Sequence, residues 1–331
     1  MTAPLRPMNL GEILDRTFQI YRSRFLVFAG IAALPALAMI GINFIVYLLE
    51  ELGPQPTIPF GFRTAFHETG LWLTSVNFES YLYCLIAPAL TYAASRFFME
   101  EESTIEAAVL WCIARWRSCL AMAAVLWVAL YLLPAVLTDP PFVRRASYSA
   151  AVTLMGSERA QFLQLGAMFL FIVRWVAEAL LGVALSPSVP AWTLEDLPVN
   201  SALRRGWTLA RGSRLRIFAA WFLAAALKLI LYLIFLIVFG LILWIVVRIS
   251  NRPDLYERSY RYLDSLPVQA ASILVAPLFP IAITLFYYDQ RIRLEGYDIE
   301  RMMDAAGMNA PELSPTEDSP IASAAPEEVQ Q

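Results

Sequence analysis

The sequence is poor in the residues that metal centres, acid–base catalysis and nucleic-acid binding require. Its 331 residues include one histidine, His67, one lysine, Lys228, and three cysteines. A single imidazole excludes a multi-histidine metal site and leaves a Ser-His-Asp triad without support. The cysteines lack Cys-x-x-Cys spacing and lie in apolar or amphipathic segments, which predicts buried, reduced thiols. The 14 glycines are scattered, so the chain has no Gly-rich phosphate loop, and it has no basic tract for nucleic acid.

Apolar residues, by contrast, are abundant. They make up 59% of the chain, and charged residues make up 16%. Soluble globular proteins carry about 45–50% apolar and about 25% charged residues. The excess falls in long apolar blocks, which is typical of an integral membrane protein. The predicted fold class is therefore an all-α membrane protein.

Six apolar blocks are long enough to cross about 30 Å of hydrocarbon as helices. The predicted spans are 25–49, 71–98, 119–137, 162–192, 217–247 and 268–288. With the N-terminus inside, the inner segments hold 15 arginines and the outer ones 8, which predicts that both termini are cytoplasmic. Residues 302–331 carry six acidic and no basic residues. They predict a disordered acidic cytoplasmic tail behind a membrane domain of residues 1–301.

Similar features recur about every 95 residues. A short amphipathic helix with a cap signal precedes each odd-numbered span, and Glu12, Glu106 and Ser201 mark its start. Two capping boxes are predicted, Asn9 with Glu12 and Ser103 with Glu106. Each even-numbered span contains proline: Pro88 in the second, Pro187 and Pro190 in the fourth, and Pro277 and Pro280 in the sixth. The spacing predicts three repeats of an interfacial helix plus a hairpin, related by a pseudo-threefold axis along the membrane normal. Unrelated hairpins with capped helices are the alternative.

Arginines concentrate just before the odd-numbered spans. They are Arg22, Arg24, Arg115, Arg117, Arg211, Arg214 and Arg216. Their guanidinium groups can reach lipid phosphates while their stems lie along apolar surface. Two interpretations stay open: an ordinary positive-inside anchor, or a specific site for phospholipid headgroups.

Four ionisable residues fall within the predicted spans: Glu79, Arg174, Glu178 and Lys228. Charge in the hydrocarbon is costly and usually faces the interior of the bundle. Arg174 and Glu178 have i,i+4 spacing and can pair along one helix face, and Lys228 lies at a matching depth. The cluster is either a neutralised structural group or a mid-membrane site for an anionic substrate.

Three motifs carry a resemblance to a known family. They are residues 11–16 (GEILDR) with Tyr21-Arg22 and Phe25; residues 195–196 (ED) with 202–207 (ALRRGW) and 210–212 (ARG); and residues 287–298 (YYDQRIRLEGYD). Over about residues 5–301 the chain resembles the bacterial family named for the membrane domain of glycerophosphoryl diester phosphodiesterases, and related six-span inner-membrane proteins. The resemblance implies a module of the bacterial inner membrane without hydrolase activity, since the phosphodiesterase chemistry of the fused proteins resembles a separate barrel domain.

The expected function is that of a non-enzymatic membrane scaffold or accessory protein. Its expected partners are membrane phospholipid and another membrane or envelope protein, without nucleic acid, metal or cofactor. His67 beside Glu68 is the single acid–base candidate, and it is interpreted as part of a solvated loop. The alternative is a transporter of small molecules or lipid-related compounds through the Arg174, Glu178 and Lys228 cluster.

Overall fold

The computed structural model describes residues 6–52, 78–134, 158–250 and 265–305. Within these ranges the chain is helical, with no strand. The helices are α1 (Leu10–Ser23), α2 (Phe25–Leu52), α3 (Phe78–Phe98), α4 (Ile105–Ala114), α5 (Trp116–Trp127), α6 (Glu158–Leu185), α7 (Ser188–Glu195), α8 (Val199–Ala210), α9 (Arg214–Ser250), α10 (Ser265–Val275), α11 (Leu278–Glu295) and α12 (Tyr297–Ala305), and a π-helical turn, Val128–Leu132, continues α5.

The starts of two short helices test the predicted capping boxes. At α1 the box is confirmed: Asn9 Oδ1 accepts the Glu12 N–H, and Glu12 Oε2 accepts the Asn9 N–H, both at 2.8 Å. The prediction of Ser103 as the second cap is wrong by one residue. The Thr104 hydroxyl accepts the Ala107 N–H at 3.1 Å, because either hydroxyl can serve as an N-cap and Thr104 is the one with extended backbone.

Among the described residues, four helical segments are long and apolar enough to cross a membrane. They are Phe25–Ile42, Met168–Glu195, Arg214–Ser250 and Leu266–Glu295. A fifth arises if α4 and the segment 116–132 are taken together, although their axes bend by 89°. Several long apolar helices are thus present, as a multi-pass membrane protein requires.

Helix α3 holds the centre of the bundle although it is less apolar than these segments. It packs against α2, α5, α7 and α11, and Leu90, Thr91 and Ala93 are each no more than 1% exposed. A helix that other helices cover does not need a continuous apolar surface. This explains why α3, which corresponds to the span predicted at 71–98 and ends at Phe98 as predicted, is less apolar than the four segments above. Its predicted first seven residues lie outside the described ranges.

Two predicted spans are interrupted by turns. The span predicted at 162–192 is divided between α6 and α7, and the one at 268–288 between α10 and α11. Pro187 and Pro277 are the N-caps of α7 and α11. A proline cannot donate to the preceding turn and disfavours helical backbone in the residue before it, so each helix stops and restarts there.

The helices α3, α7 and α11 end in a similar way. The described residues with positive φ are Glu100 (φ 62°), Asp196 (φ 50°) and Gly296 (φ 67°), and each follows one of these three helices. Left-handed backbone at this position is a common way to terminate a helix. Residues 302–305, predicted as the start of the tail, belong to α12, and the rest of the predicted tail lies outside the described residues.

Candidate functional site

Three helix junctions, α1/α2, α4/α5 and α8/α9, lie at one end of the bundle, which we call the arginine face. It carries the seven arginines predicted to contact lipid: Arg22, Arg24, Arg115, Arg117, Arg211, Arg214 and Arg216. Ion pairs join its parts: Arg24 lies 3.9 Å from Glu102, and Arg115 lies 3.3 Å from Asp196. These pairs link the α1/α2 junction to the turn after α3 and the α4/α5 junction to the turn after α7.

Several of these arginines stack on aromatic rings. The guanidinium carbon of Arg115 lies 4.7 Å from the centroid of the Trp111 ring, and that of Arg214 lies 4.8 Å from Trp207. Arg117 stacks on its neighbour Trp116 at 5.3 Å, and Arg24 lies 5.3 Å from the Phe97 ring. Stacking holds the cation beside an amphipathic ring, an arrangement suited to the layer of lipid headgroups.

Arg22 and Arg211 are exposed. Within the described parts of the chain, neither side chain forms an ion pair or a hydrogen bond, so both guanidinium groups are available to an anion. Arg216 differs. Its Nη2 donates to Asp289 Oδ2 at 2.9 Å and to the Met8 carbonyl at 3.0 Å, so this predicted lipid contact is engaged within the protein.

Asp289 is the most buried carboxylate of the arginine face. Its side chain is 0% exposed, and it accepts hydrogen bonds from Arg216, from Arg293 Nε at 3.1 Å and from the Met8 N–H at 2.8 Å. Arg293 Nη2 also donates to the Met8 carbonyl at 2.8 Å. Since Met8 is held through both its N–H and its C=O, this Asp289 clasp fixes the segment before α1 onto α9 and α11.

A second network of ion pairs and hydrogen bonds joins α11 to α7 and α8. Arg205 Nη2 donates to Glu295 Oε2 at 2.7 Å and to Glu195 Oε1 at 3.1 Å, and Arg291 Nε lies 3.2 Å from Glu295. The Tyr287 hydroxyl donates to Glu195. The hydrogen bond to Glu295, with the charge of Glu195, holds the pKa of the Arg205 guanidinium above its usual value, so Arg205 stays charged and ties α8 to α7 and α11.

The predicted polar cluster within the membrane is only partly visible. Arg174 Nε donates to Glu178 Oε1 at 2.8 Å, and about a fifth of each side chain is exposed. The Lys228 ammonium lies 6.0 Å from the centroid of the Tyr83 ring. The structure therefore brings Arg174 and Glu178 together, while the side chain of Glu79 lies outside the described residues.

The described ranges contain no candidate metal site and no disulfide. They hold no cluster of three His, Cys, Asp or Glu side chains placed for a metal ion. Cys84, Cys112 and Cys119 are free thiols, buried or half-buried, and His67 lies outside these ranges. The three thiols occupy packing positions in α3, α4 and α5.

Sequence reasoning missed the polar residues that bind the helix ends together: Glu195, Arg205, Tyr287, Asp289 and Arg293. The signal was present, since residues 287–298 form a dense string of tyrosine, aspartate, arginine and glutamate. The pattern does not identify the contacts, because the partners at Met8, Arg205 and Arg216 are remote along the chain.

Comparison with protein-family models, with curated proteins and with solved structures gives no match for this chain.

Proposed function

We propose that this protein is a non-enzymatic integral membrane scaffold that binds anionic phospholipid headgroups through its arginine face. The observation that carries the proposal is the set of arginines stacked on tryptophans at the helix junctions, Arg115 on Trp111 and Arg214 on Trp207 above all. Tryptophan favours the headgroup layer, and guanidinium matches a phosphate with two parallel N–H donors. The exposed Arg22 and Arg211 add charge that no ion pair within the described residues neutralises.

The proposal includes three repeats of an interfacial helix and a hairpin, with six spans in all. Three features support it. Glu100, Asp196 and Gly296 end the return helices with positive φ at intervals of 96 and 100 residues. Arg24 and Arg115 have similar backbone at the α1/α2 and α4/α5 junctions, with φ of −128° and −113°. The 89° bend between α4 and the following segment suits a helix that lies in the interface before a span.

The proposed location is the bacterial inner membrane, with both termini in the cytoplasm beside the arginine face. The excess of arginine at this end of the bundle supports the orientation. The resemblance to the membrane domain of glycerophosphoryl diester phosphodiesterases supports the location and the absence of hydrolase activity. A partner protein of the membrane or envelope remains part of the proposal.

The test is binding of the reconstituted protein to anionic lipid. A variant with Arg117→Gln, Arg211→Gln and Arg214→Gln removes three charges of the arginine face without touching the Asp289 clasp. Each basic residue near an anionic surface is worth about 1 kcal/mol. We expect the variant to lose its preference for phosphatidylglycerol over phosphatidylcholine, measured by the lipids that copurify in nanodiscs.

The matched control is Arg248→Gln. Arg248 stacks on Trp244 at 5.4 Å, but it belongs to the last turn of α9, far from the arginine face. This variant keeps the lipid preference. An unchanged preference in the triple variant, or an equal loss in the control, contradicts the proposal.

A second candidate function is transport of small anions. The ion pair Arg174–Glu178 favours it, since each side chain is about 20% exposed while the neighbouring Trp175 and Val176 are 41% and 43% exposed. The pair thus turns toward the bundle, where a polar path would run. Efflux of labelled inorganic phosphate from proteoliposomes tests this candidate: it requires flux in the native protein and loss of flux in Glu178→Gln.

A further inference from the structure

A groove runs where the interfacial helix α1 crosses α9 and α11. It is shallow and open on one side. Leu14 and Phe18 of α1 form one wall, and Leu223 and Leu227 of α9 form the other. Ala220, which is 4% exposed, contributes to its floor. Small alanines below large apolar side chains leave room for a slender apolar group.

The groove has no polar group to offer a ligand. Of the side chains that line it, Thr17 is the polar one. Its hydroxyl donates to the Ile13 carbonyl within α1 at 2.7 Å. A sugar, a nucleotide or a peptide backbone would therefore lose hydrogen bonds to water on entering, whereas a hydrocarbon chain would not. The lining selects a hydrocarbon ligand.

The opening of the groove indicates where that ligand comes from. Phe18 and Leu223 stand at its rim and are 44% and 43% exposed. The apolar window of α9 has none of its residues buried. An exposed apolar helix of this length meets the hydrocarbon of the bilayer, and the groove opens beside it.

A basic residue, Arg22, lies on α1 one turn beyond the groove. Arg22 follows Leu14 and Phe18 at i,i+4 spacing, so the three side chains share one face of the helix, with Arg22 about one turn, or about 6 Å, beyond Phe18. Arg22 is exposed and has no ion-pair partner in the described residues. A phosphate there would be neutralised, with its attached chain directed along Phe18 into the groove.

We infer that this groove holds one anionic phospholipid, with an acyl chain between α1 and α9 and the phosphate at Arg22. The inference rests on the proposed lipid-binding function and gives it a location and a stoichiometry. Lipid held in this way would also bind the interfacial helix to the spans, because α1 and α9 form the two walls.

The experiment measures retained lipid by native mass spectrometry after transfer from nanodiscs of about three parts phosphatidylcholine to one part phosphatidylglycerol. The native protein is expected to retain one phosphatidylglycerol per chain. Ala224 of α9 also lines the groove, so Ala224→Phe fills it and is expected to abolish retention of either lipid. Arg22→Gln is expected to keep one lipid per chain and to lose about fivefold in preference for phosphatidylglycerol, the effect of one basic residue.

Matched controls separate the groove from general effects. Leu229→Phe adds bulk to α9 at a position that is 57% exposed and outside the groove, and Arg248→Gln removes a charge at the far end of the same helix. Both keep the retained phosphatidylglycerol. If Ala224→Phe does not fold, Phe18→Ala, which removes one rim of the groove, replaces it and is expected to reduce retention.

Three outcomes overturn the inference. Ala224→Phe retains lipid like the native protein; or Arg22→Gln keeps its preference; or the groove variant dissociates a dimer, which would make a second copy of the chain the occupant. Failure here is distinct from failure of the proposed function. If only the groove inference fails, the variant with Arg117, Arg211 and Arg214 replaced by glutamine still loses its preference for phosphatidylglycerol. If the proposed function fails, that variant keeps the preference.

Discussion

At the scale of single residues, burial decides how much an ion pair of this protein contributes to stability. Asp289 is fully buried and satisfied by two arginines and the N–H of Met8, whereas Glu102 is 89% exposed and lies 3.9 Å from Arg24. Water screens the second pair almost completely, while the first has lost its hydration and depends on its partners. Burial, and not charge type, thus decides which charged side chains depend on partners within the protein.

Asp289→Ala should destabilise the protein by about 2–4 kcal/mol. The value is set below that for a fully buried ion pair because Arg216 and Arg293 are partly exposed. Unfolding temperature in detergent, followed by tryptophan fluorescence, measures the change. Glu102→Gln is the control and should change the stability by about 0–1 kcal/mol. Equal effects of the two substitutions would contradict the clasp as a structural element.

Tyr21 gives a pH dependence at the end of α1. Its hydroxyl donates to the Leu274 carbonyl at 2.7 Å, and burial raises the pKa of Tyr21 to about 12 from an ordinary value of about 10. The neutral form is favoured in the folded state, so its contribution is complete below about pH 10 and is lost as the pH rises toward 12. The advantage of the native protein over Tyr21→Phe, about 1 kcal/mol near neutral pH, should therefore shrink above about pH 10.

Unfolding temperatures of both proteins between about pH 8 and about pH 11 check this expectation. Tyr92→Phe, in a second tyrosine that stacks on Trp111, is a matched control. An advantage that stays constant or grows with pH would show that the Tyr21 hydroxyl is not the buried donor.

At the scale of helices, close approach depends on small residues. Ala202, Gly206 and Ala210 recur every four residues on α8, and all three are buried. A Cβ at Gly206 would lie 2.4 Å from the backbone nitrogen and 2.6 Å from the Cα of Ser188. Such spacing is a common solution for tightly packed helices, since glycine lets two backbones meet. The contact seats α8 against α7 and so positions the arginines that follow.

Gly206→Ala should destabilise the protein by about 1–3 kcal/mol, because the added methyl group meets backbone atoms that cannot rotate away. Gly240→Ala on α9 is the control, since a Cβ there has no atom within 4 Å. Alanine has the higher helix propensity, so the control should be neutral or slightly stabilising. Thermal unfolding of both variants in one detergent is the measurement, and a harmless Gly206→Ala would refute the close contact.

At the scale of the whole molecule, a central helix and an outer set of apolar helices divide the roles. Helix α3 packs against six others, α1, α2, α4, α5, α7 and α11, whereas no residue in the apolar window of α9 is buried. The inner helix is largely covered by its neighbours, and the outer helices present the exposed apolar surface. The ion pairs of the arginine face then join the helix ends, so one end of the bundle is held by electrostatics and the rest by packing.

The proposed six-span organisation predicts opposite locations for residues 101 and 149. In a variant with Cys84, Cys112 and Cys119 replaced by serine, a cysteine at Glu101 or at Ser149 is tested with a membrane-impermeant maleimide on intact cells. We expect Ser149→Cys to react at once and Glu101→Cys to react only after permeabilisation. Labelling of both from the same side would show that the bent segment after α4 does not cross the membrane.

Much of the helical content and the arginines of the candidate site could be read from the sequence, but the ion pairs and hydrogen bonds that join the helix ends could not. Leu10–Ser23, Phe25–Leu52 and Arg214–Ser250 lie close to their predicted positions, because hydropathy and capping are local properties. The i,i+4 pair of Arg174 with Glu178 is local for the same reason. The breaks at Pro187 and Pro277 had a signal in the sequence, but periodicity alone extended the spans across them.

The sequence by itself determined that the protein is built of apolar helices and that its arginines cluster before the spans, since both follow from the order of residues along the chain. Only the tertiary structure decided which charges meet. Asp289 lies 281 residues from Met8 and 73 from Arg216, and pairs at such separations depend on how the helices pack. The same packing reserves Arg216 for the protein and leaves Arg22 for an anion, because burial is a property of the assembled bundle.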